Sequence, residues 1–576
     1  MRNGEIAEAF DELGSLYELD GAVVYRVVAY RTAAKAIREA GVSVAELSRQ
    51  GRAEELAGIG KTIAEKITAL LEGGSIPSAD KLKARIPSGL IEVTRIPGLG
   101  PKRARLLHDA LGVESIDDLR RAAESGQLKD VASFGPKAQE NVLAALAAGA
   151  DGSEKPRQLL SKALAVGNEL VESLREHPVA LRVELAGSAR RMTDTCKDLD
   201  IVVAASDPAA LVKAFSKLQA IDEVHSSGEA GARALTHSGL PVDLRIVPEE
   251  TFGNLLQHFT GSGRHNEALR TEAVKRGLHV SEYGIADDAT DETHACATEE
   301  EVYERLGMQF IPPELREDRG ELRAARKNEL PELINEADIR GDLHMHTIAS
   351  DGRNTVQEMA EAARERGYEY IAITDHSATH GFNNDVPPDE LRRQIERIRG
   401  LELEGITLLA GTETNVLPDG SLDYDDELLE QLDWVVASVH TSFRMKEREM
   451  TDRMVAAIEH PLVDVIGHPT GRMLGRREGY ALDTDRVIDA AARSGTFLEI
   501  NSNANRRDLP DTLARAASEA GVMLVIDSDA HGVDTLPTTL RYGIATARRA
   551  WLTKDQVANT RPWQELDKLR SRSLPG

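Results

Sequence analysis

The stretch Gly187–Ile201, GSARRMTDTCKDLDI, constrains this chain more than any other. A Gly-Ser turn carrying Arg190 and Arg191 is followed by Asp198 and Asp200. The β-branched residues of DLDIVVAA predict a strand, whose period of two puts both carboxylates on one face. Carboxylates side by side repel each other unless a divalent cation sits between them, and Mg²⁺ suits one or two carboxylates plus substrate phosphates. Asp243, 43 residues beyond Asp200 in PVDLRIV, offers a third acid with its own strand pattern. A D-x-D on a strand is common by itself; the preceding turn and the later Asp243 set this one apart. Three acids on neighbouring strands, beside amides and arginines able to hold a triphosphate, fit two-metal phosphoryl or nucleotidyl transfer.

This spacing resembles the nucleotidyltransferase signature of the family X DNA polymerases, the group that includes DNA polymerase beta. The resemblance implies that Asp198 and Asp200 bind both of two Mg²⁺ or Mn²⁺ ions. Asp243 would complete the site that activates the primer 3′-hydroxyl. It also implies that Ser188 and Arg191 hold the β- and γ-phosphates while Gly187 lets the backbone approach. Cys196 and Lys197 depart from the small Ser and Gly of that pattern. HFTGS, residues 258–262, resembles the family's Y-F-T-G-S, which packs on the nucleotide sugar. By that likeness His258, Phe259 and Gly261 meet the sugar, with His258 in place of tyrosine, and Asn266 and Arg270 meet the minor-groove edge of the nascent pair. The stretch from LHVSEYGI to GMQFIPPELRED is similar to the end of the family's thumb.

A net charge of −26 argues against DNA binding until its distribution is considered. Residues 1–150 carry 20 Lys+Arg against 21 Asp+Glu, so nearly all the acidity lies further on, and local basic clusters can still meet phosphates. Apolar residues recur at helical spacing through Ile6–Tyr17, Tyr25–Ala40, Ile63–Leu71 and Arg103–Leu111. Glycine turns open the helices: Gly58-Ile59-Gly60, Gly98-Leu99-Gly100 and a weaker Phe134-Gly135-Pro136. Lys61, Lys102 and Lys137 follow them, where helix-start amides can face an anion. One such turn would be unremarkable; two good copies and a degenerate third look like helix–hairpin–helix elements, which grip DNA backbone without reading sequence. GIGKTIAEKI (58–67) and AYRTAA (29–34) also resemble the lyase domain of DNA polymerase beta. Lys66 then stands where that family forms a Schiff base with a 5′-deoxyribose phosphate, and Arg26, Tyr30 and Arg31 stand near its 5′-phosphate pocket. DNA-end binding without the lyase chemistry stays open as an alternative.

After residue 338 the pattern becomes repeated strand–loop–helix units, predicting a parallel sheet or barrel. Seven apolar segments end in polar clusters: GDLHMHT, YIAITDHS, TLLAGTET, WVVASVHT, DVIGHPT, FLEINSN and LVIDSDAH. Residues at the C-terminal ends of barrel strands read as catalytic. His344, His346, Asp351, His376, Glu413, His440, His468, Asp529 and His531 all fall there. Imidazole with carboxylate suits Zn²⁺, Mn²⁺ or Fe²⁺, and nine ligands suffice for three ions if some bridge. These motifs resemble the polymerase-and-histidinol-phosphatase (PHP) domain, a distorted seven-stranded β/α barrel. Joined behind a family X core, it implies 3′–5′ exonuclease activity, with abasic-site endonuclease and 3′-phosphatase action as further implied activities.

The expected fold is multidomain α and α+β/α/β. A lyase-like helical domain (1–85) and a helix–hairpin–helix domain (86–150) precede a palm (151–258), a thumb (259–318), a linker with one helix (319–338) and the barrel (339–576). The expected function is short-gap filling in base-excision repair. Its partners are gapped or nicked DNA and deoxynucleoside triphosphates. Two cysteines, no apolar run near the roughly 20 residues of a membrane span and a polar N-terminus predict a cytoplasmic protein without membrane contact. A monomer is expected. Rival readings are a small-molecule phosphoesterase with a tether, disfavoured by the DNA-gripping turns, and a non-catalytic DNA-end scaffold.

Overall fold

Helical spacing of Ile6, Phe10 and Leu13, and of Ile63, Ile67 and Leu70, turns one face of each N-terminal helix inward. In the computed structural model these residues are buried in a single core with Ile37, Leu107 and Leu119. The structure describes residues 1, 3–40, 42–94, 96, 99–131, 134–148, 157–379, 381 and 385–570. They divide into two compact units, one of residues 1–158, 162–186 and 196–252, the other of 159–161, 187–195 and 253–576.

In the first unit the helices include Asn3–Leu19, Val24–Glu39, Lys61–Gly73, Pro101–Leu111 and Ile116–Glu124. A five-stranded sheet follows: β1 (Ala180–Leu185), β2 (Leu199–Ala205), β3 (Ile221–Gly228), β4 (Gly231–Thr236) and β5 (Pro241–Val247), in spatial order β1-β2-β5-β4-β3. β2 and β5 run parallel with Asp200 directly opposite Asp243. Leu199, Ile201, Val202 and Val203 are fully buried, so apolar packing pins the register that pairs the two acids.

The second unit contains a three-stranded antiparallel sheet, β6 (Leu278–Ser281), β7 (Gly284–Asp287) and β8 (Glu292–His294). Its core joins Leu269, Ile285, Val302 and Tyr303 to Leu322, Ala325 and Leu333. The stretch 319–338, expected to be a linker with one helix, carries such a helix and packs it into this core. Helix Glu321–Lys327 buries Leu322 and Ala325, and buried Glu321 hydrogen-bonds His265.

The seven polar-tipped segments form one parallel sheet in chain order: β9 (Gly341–Asp342), β10 (Tyr370–Ile373), β11 (Thr407–Asn415), β12 (Trp434–Ser438), β13 (Val465–Ile466), β14 (Phe497–Asn501) and β15 (Leu524–Asp527). A parallel bridge between Met345 and Ala530 brings its two edges together into a nearly closed barrel. Alternation sorts the strand residues. Tyr370, Ala372, Trp434, Val436 and Phe497 share one core, while Ile371, Ile373, Val435, Ala437 and Leu498 join helix residues Met359 and Met454 in another. The first set fills the barrel and the second packs the surrounding helices. Among the described residues no helix is long and apolar enough to cross a membrane.

Candidate functional site

At the C-terminal ends of the barrel strands the structure gathers all nine predicted side chains. Three overlapping sets have ligand atoms within 4.8 Å of one another: His346, Asp351, His376 and His531; His344, His346 and Asp529; and His376, Glu413 and His440. Glu413 is the hub. Its Oε1 lies 2.9 Å from His468 Nε2 and 3.2 Å from His440 Nε2, and its Oε2 lies 2.8 Å from His376 Nδ1. Strand parity points Glu413 and His440 inward with Leu409 and Trp434. His468 breaks the parity of Val465 and takes a φ of 31°, turning its ring back to the centre. Asp351 and His531 form the open side, at 40 % and 32 % exposure, whereas His344, His346 and Glu413 are sealed.

The electrostatics split the histidines. Burial, then His531 and His376, depress His346 to about 4. Burial also dominates at His468, with Arg506 adding to it, and takes it to about 3. Burial opposes protonation of His531 too, but Asp351 and Asp529 outweigh it and raise the group to about 9. His344 goes well above its ordinary value because Glu499, Glu413 and Asp529 overcome burial. Asp529, likewise buried, is held well below the usual carboxylate range by His344, His346 and His531. The donor set fits cations. Four acceptor-capable atoms (His344 Nε2, both ring nitrogens of His346 and Glu413 Oε2) are buried without an aligned hydrogen-bond partner. Orphaned buried polar atoms are costly, and ligation satisfies them.

Three further residues of this centre, unmarked in the sequence, support it. Glu499 on β14 accepts from His344 Nδ1 at 2.6 Å, leaving Nε2 toward the cluster. An acid inside the apolar segment FLEIN was the available signal. Asp375 accepts from Thr347, Ser350 and Gln394, fixing the loop that carries His346. Arg506 Nε lies 3.7 Å from Asp529 Oδ2.

In the first unit, Asp200 on β2 stands beside Asp243, and Asp198 precedes β2 by one residue. The Ala186 amide donates to the Asp200 carbonyl, so β1 ends next to the acids. Asp243 meets Arg245 at 2.9 Å and Arg233 at 3.4 Å while staying 22 % exposed. A cation at Asp243 has to compete with these two guanidinium groups. Cys196 is buried and Lys197 exposed.

The nucleotide-side residues of the second unit are more engaged than expected. Ser188 lies in the Gly187–Arg190 turn. Arg191 pairs with Glu317 at 3.0 Å and donates to the Thr260 carbonyl at 2.9 Å. His258 and Phe259 lie in the helix Phe252–Thr260, whose apolar face is buried. Burial lowers the His258 pKa. Asn266 spends its side chain on the turn, donating to the carbonyls of His258 and Gly261 and accepting from Gln257. A Cβ on Gly261 would sit 2.4 Å from Asn266 Oδ1, which is why glycine stands there. Arg270 is exposed.

Among the N-terminal turns, Gly60 and Gly100 cap the helices Lys61–Gly73 and Pro101–Leu111, with exposed Lys61 and Lys102 in their first turns. Gly58 takes a φ of 89°. Gly98 lies outside the described residues. Lys66 Nζ donates to Ser78 Oγ at 3.1 Å and lies 6.0 Å from the centre of the Tyr30 ring. Tyr30 stacks on Tyr17, which Arg26 covers, and Arg31 pairs with Glu18.

Comparison with known proteins adds four family matches. A helix-hairpin-helix domain matches residues 1–76 and a SAM-like helix-hairpin-helix tandem residues 90–148. The DNA polymerase beta thumb matches residues 255–317 and the PHP domain residues 342–503. The DNA polymerase/3′-5′ exonuclease PolX of Bacillus subtilis (strain 168) is 36 % identical over 577 aligned residues, covering 100 % of both chains. Proteins named as probable phosphatases align with a smaller part. That of Thermoanaerobacter sp. (strain X514) is 31 % identical over 38 % of this chain and 89 % of its own length. That of Caldanaerobacter subterraneus subsp. tengcongensis is 33 % identical over 33 % of this chain and 75 % of its own.

Proposed function

The chain belongs to the PolX family, family X DNA polymerases with a C-terminal PHP domain, and on that premise we propose a repair enzyme with two separate metal centres. It is a DNA polymerase and a 3′–5′ exonuclease. The observation that carries the two-centre reading is the in-register pair Asp200 and Asp243 in a chain that also gathers nine histidine and carboxylate side chains at the barrel mouth.

In the polymerase centre Asp198, Asp200 and Asp243 hold Mg²⁺ or Mn²⁺, and Gly187, Ser188 and Arg191 receive the triphosphate. His258, Phe259, Gly261 and Arg270 face the sugar and base, and Asn266 acts by holding the turn that presents them. In the nuclease centre His344, His346, Asp351, His376, Glu413, His440, His468, Asp529 and His531 hold up to three Mn²⁺, Zn²⁺ or Fe²⁺ ions. Divalent ions at either centre supply Lewis acidity toward phosphoryl oxygens. Glu499 orients His344, and Arg506 brings a cation beside the acidic centre for an incoming phosphodiester. The substrates are gapped or nicked DNA and deoxynucleoside triphosphates, in base-excision repair in the cytoplasm, with the chain as a monomer. Gly58, Gly60, Lys61, Gly98, Gly100 and Lys102 grip the backbone; Arg26, Tyr30 and Arg31 receive a 5′-phosphate, and Lys66 serves as the lyase nucleophile.

Separation of the activities tests this assignment. Asp198→Ala or Asp200→Ala abolishes incorporation into a gapped primer and spares 3′–5′ degradation; His344→Ala does the reverse. Extension surviving both aspartate changes overturns the polymerase site. The phosphatase-named relatives favour a second, phosphatase activity at the barrel; phosphate release from a 3′-phosphorylated oligonucleotide, compared with that from histidinol phosphate, tests whether its substrate is a DNA 3′ end.

A further inference from the structure

Between the Gly-Ser turn and the first acids runs the segment Arg191–Asp194, and three arginines of the barrel domain hold it. Arg549, on helix Leu536–Arg549, donates to the Arg191 carbonyl at 2.8 Å. Arg507 donates to the Met192 carbonyl at 2.9 Å and lies 3.3 Å from Asp194. Arg472 pairs with the other Asp194 oxygen at 2.9 Å. Met192 sits at φ 55°, a conformation a side-chain-bearing residue keeps when its surroundings impose it. Arg507 is 1 % exposed, and its planar fork serves backbone and carboxylate at once.

Charge sharing extends the contact to Arg191 itself. Glu317 is 3.0 Å from Arg191 and 3.0 Å from Arg549, and Arg549 also pairs with Asp511 at 3.0 Å. Glu317 and an incoming triphosphate are rivals for the same guanidinium. With Arg549 present, the Glu317 charge is divided between two cations. Without it, a partly buried carboxylate would be neutralised by Arg191 alone and would hold it back.

We propose that Arg472, Arg507 and Arg549 are positioning residues for the polymerase centre: they fix Arg191–Asp194 and, through Glu317, set how readily Arg191 takes the triphosphate. This rests on the reading that Arg191 meets the triphosphate.

The test uses full-length Arg549→Met, Arg549→Lys and the double variant Arg549→Met/Glu317→Gln. The readouts are nucleotide KM and kcat in gap filling, exonuclease rate, and amide hydrogen exchange across 187–195. Expected for Arg549→Met is a nucleotide KM raised at least tenfold, exonuclease within twofold of wild type, and faster exchange confined to 187–195. Lysine restores part of the KM, because it pairs with Glu317 but cannot make the forked contacts, and the double variant lowers KM again. Unchanged exchange at 187–195, or a double variant worse than the single one, overturns the proposal. So does an equal fall of both activities with faster exchange in the barrel strands. A wild-type chain that incorporates no nucleotide sinks the polymerase reading instead, and the exchange measurement still decides whether the arginines hold the segment.

Discussion

Stripping metal from the barrel and restoring it at different pH should expose the proton that His531 must surrender. In the metal-free protein burial works against a charge on His531, but the Asp351 hydrogen bond and Asp529 prevail and lift it to about 9. A ligating nitrogen needs its lone pair, so binding expels that proton. At pH 7, about two units below that value, expulsion costs roughly 2.7 kcal/mol, or about 100-fold in affinity, at about 1.36 kcal/mol per unit. The sign follows: the group is protonated below about 9, so affinity climbs as pH rises and levels off above that value. His346, held near 4, contributes no such term, whereas His376 is raised by Glu413 and Asp351 against its burial and steepens the slope. Calorimetric Mn²⁺ titration of the stripped chain between about pH 6.5 and 8.5 should give at least about a tenfold gain per unit, with protons released in proportion. Affinity flat within twofold across that range, without proton release, would refute the argument.

Glu499→Ala removes the acceptor that orients His344, and should lower metal affinity or exonuclease rate about 10–100-fold while leaving gap filling intact. Gly253→Ala would put a Cβ 2.2 Å from the Thr298 backbone; a loss of about 1–3 kcal/mol should appear as an earlier thermal transition, and an unchanged melt would contradict that packing. Lys66→Ala should abolish borohydride trapping of a 5′-deoxyribose-phosphate substrate with DNA binding retained; trapping that persists would move the nucleophile elsewhere.

How far the sequence could be read differs residue by residue. His344, His346 and Asp529 stood out because strand ends are short polar interruptions of apolar runs, and the period of two already sends them to one side. Glu499 did not, because an acid inside FLEIN carries no mark of the histidine it will meet across 155 residues. Asp200 and Asp243 were legible as acids on strands, but Arg233 beside Asp243 is set by the pairing of β4 with β5. A helix was legible in the charged stretch that holds Glu321–Lys327, but its packing was not, since its burial depends on a partner, His265, that is distant in sequence.

By itself the sequence determined the barrel's seven strands and which side chains crowd their ends, because periodicity and side-chain chemistry are local properties. Tertiary structure alone decided that Arg191 shares Glu317 with Arg549, that Asn266 is spent on its own turn, and which imidazoles hold protons. Those outcomes depend on distances between groups far apart in the chain and on the burial that strengthens or silences each charge.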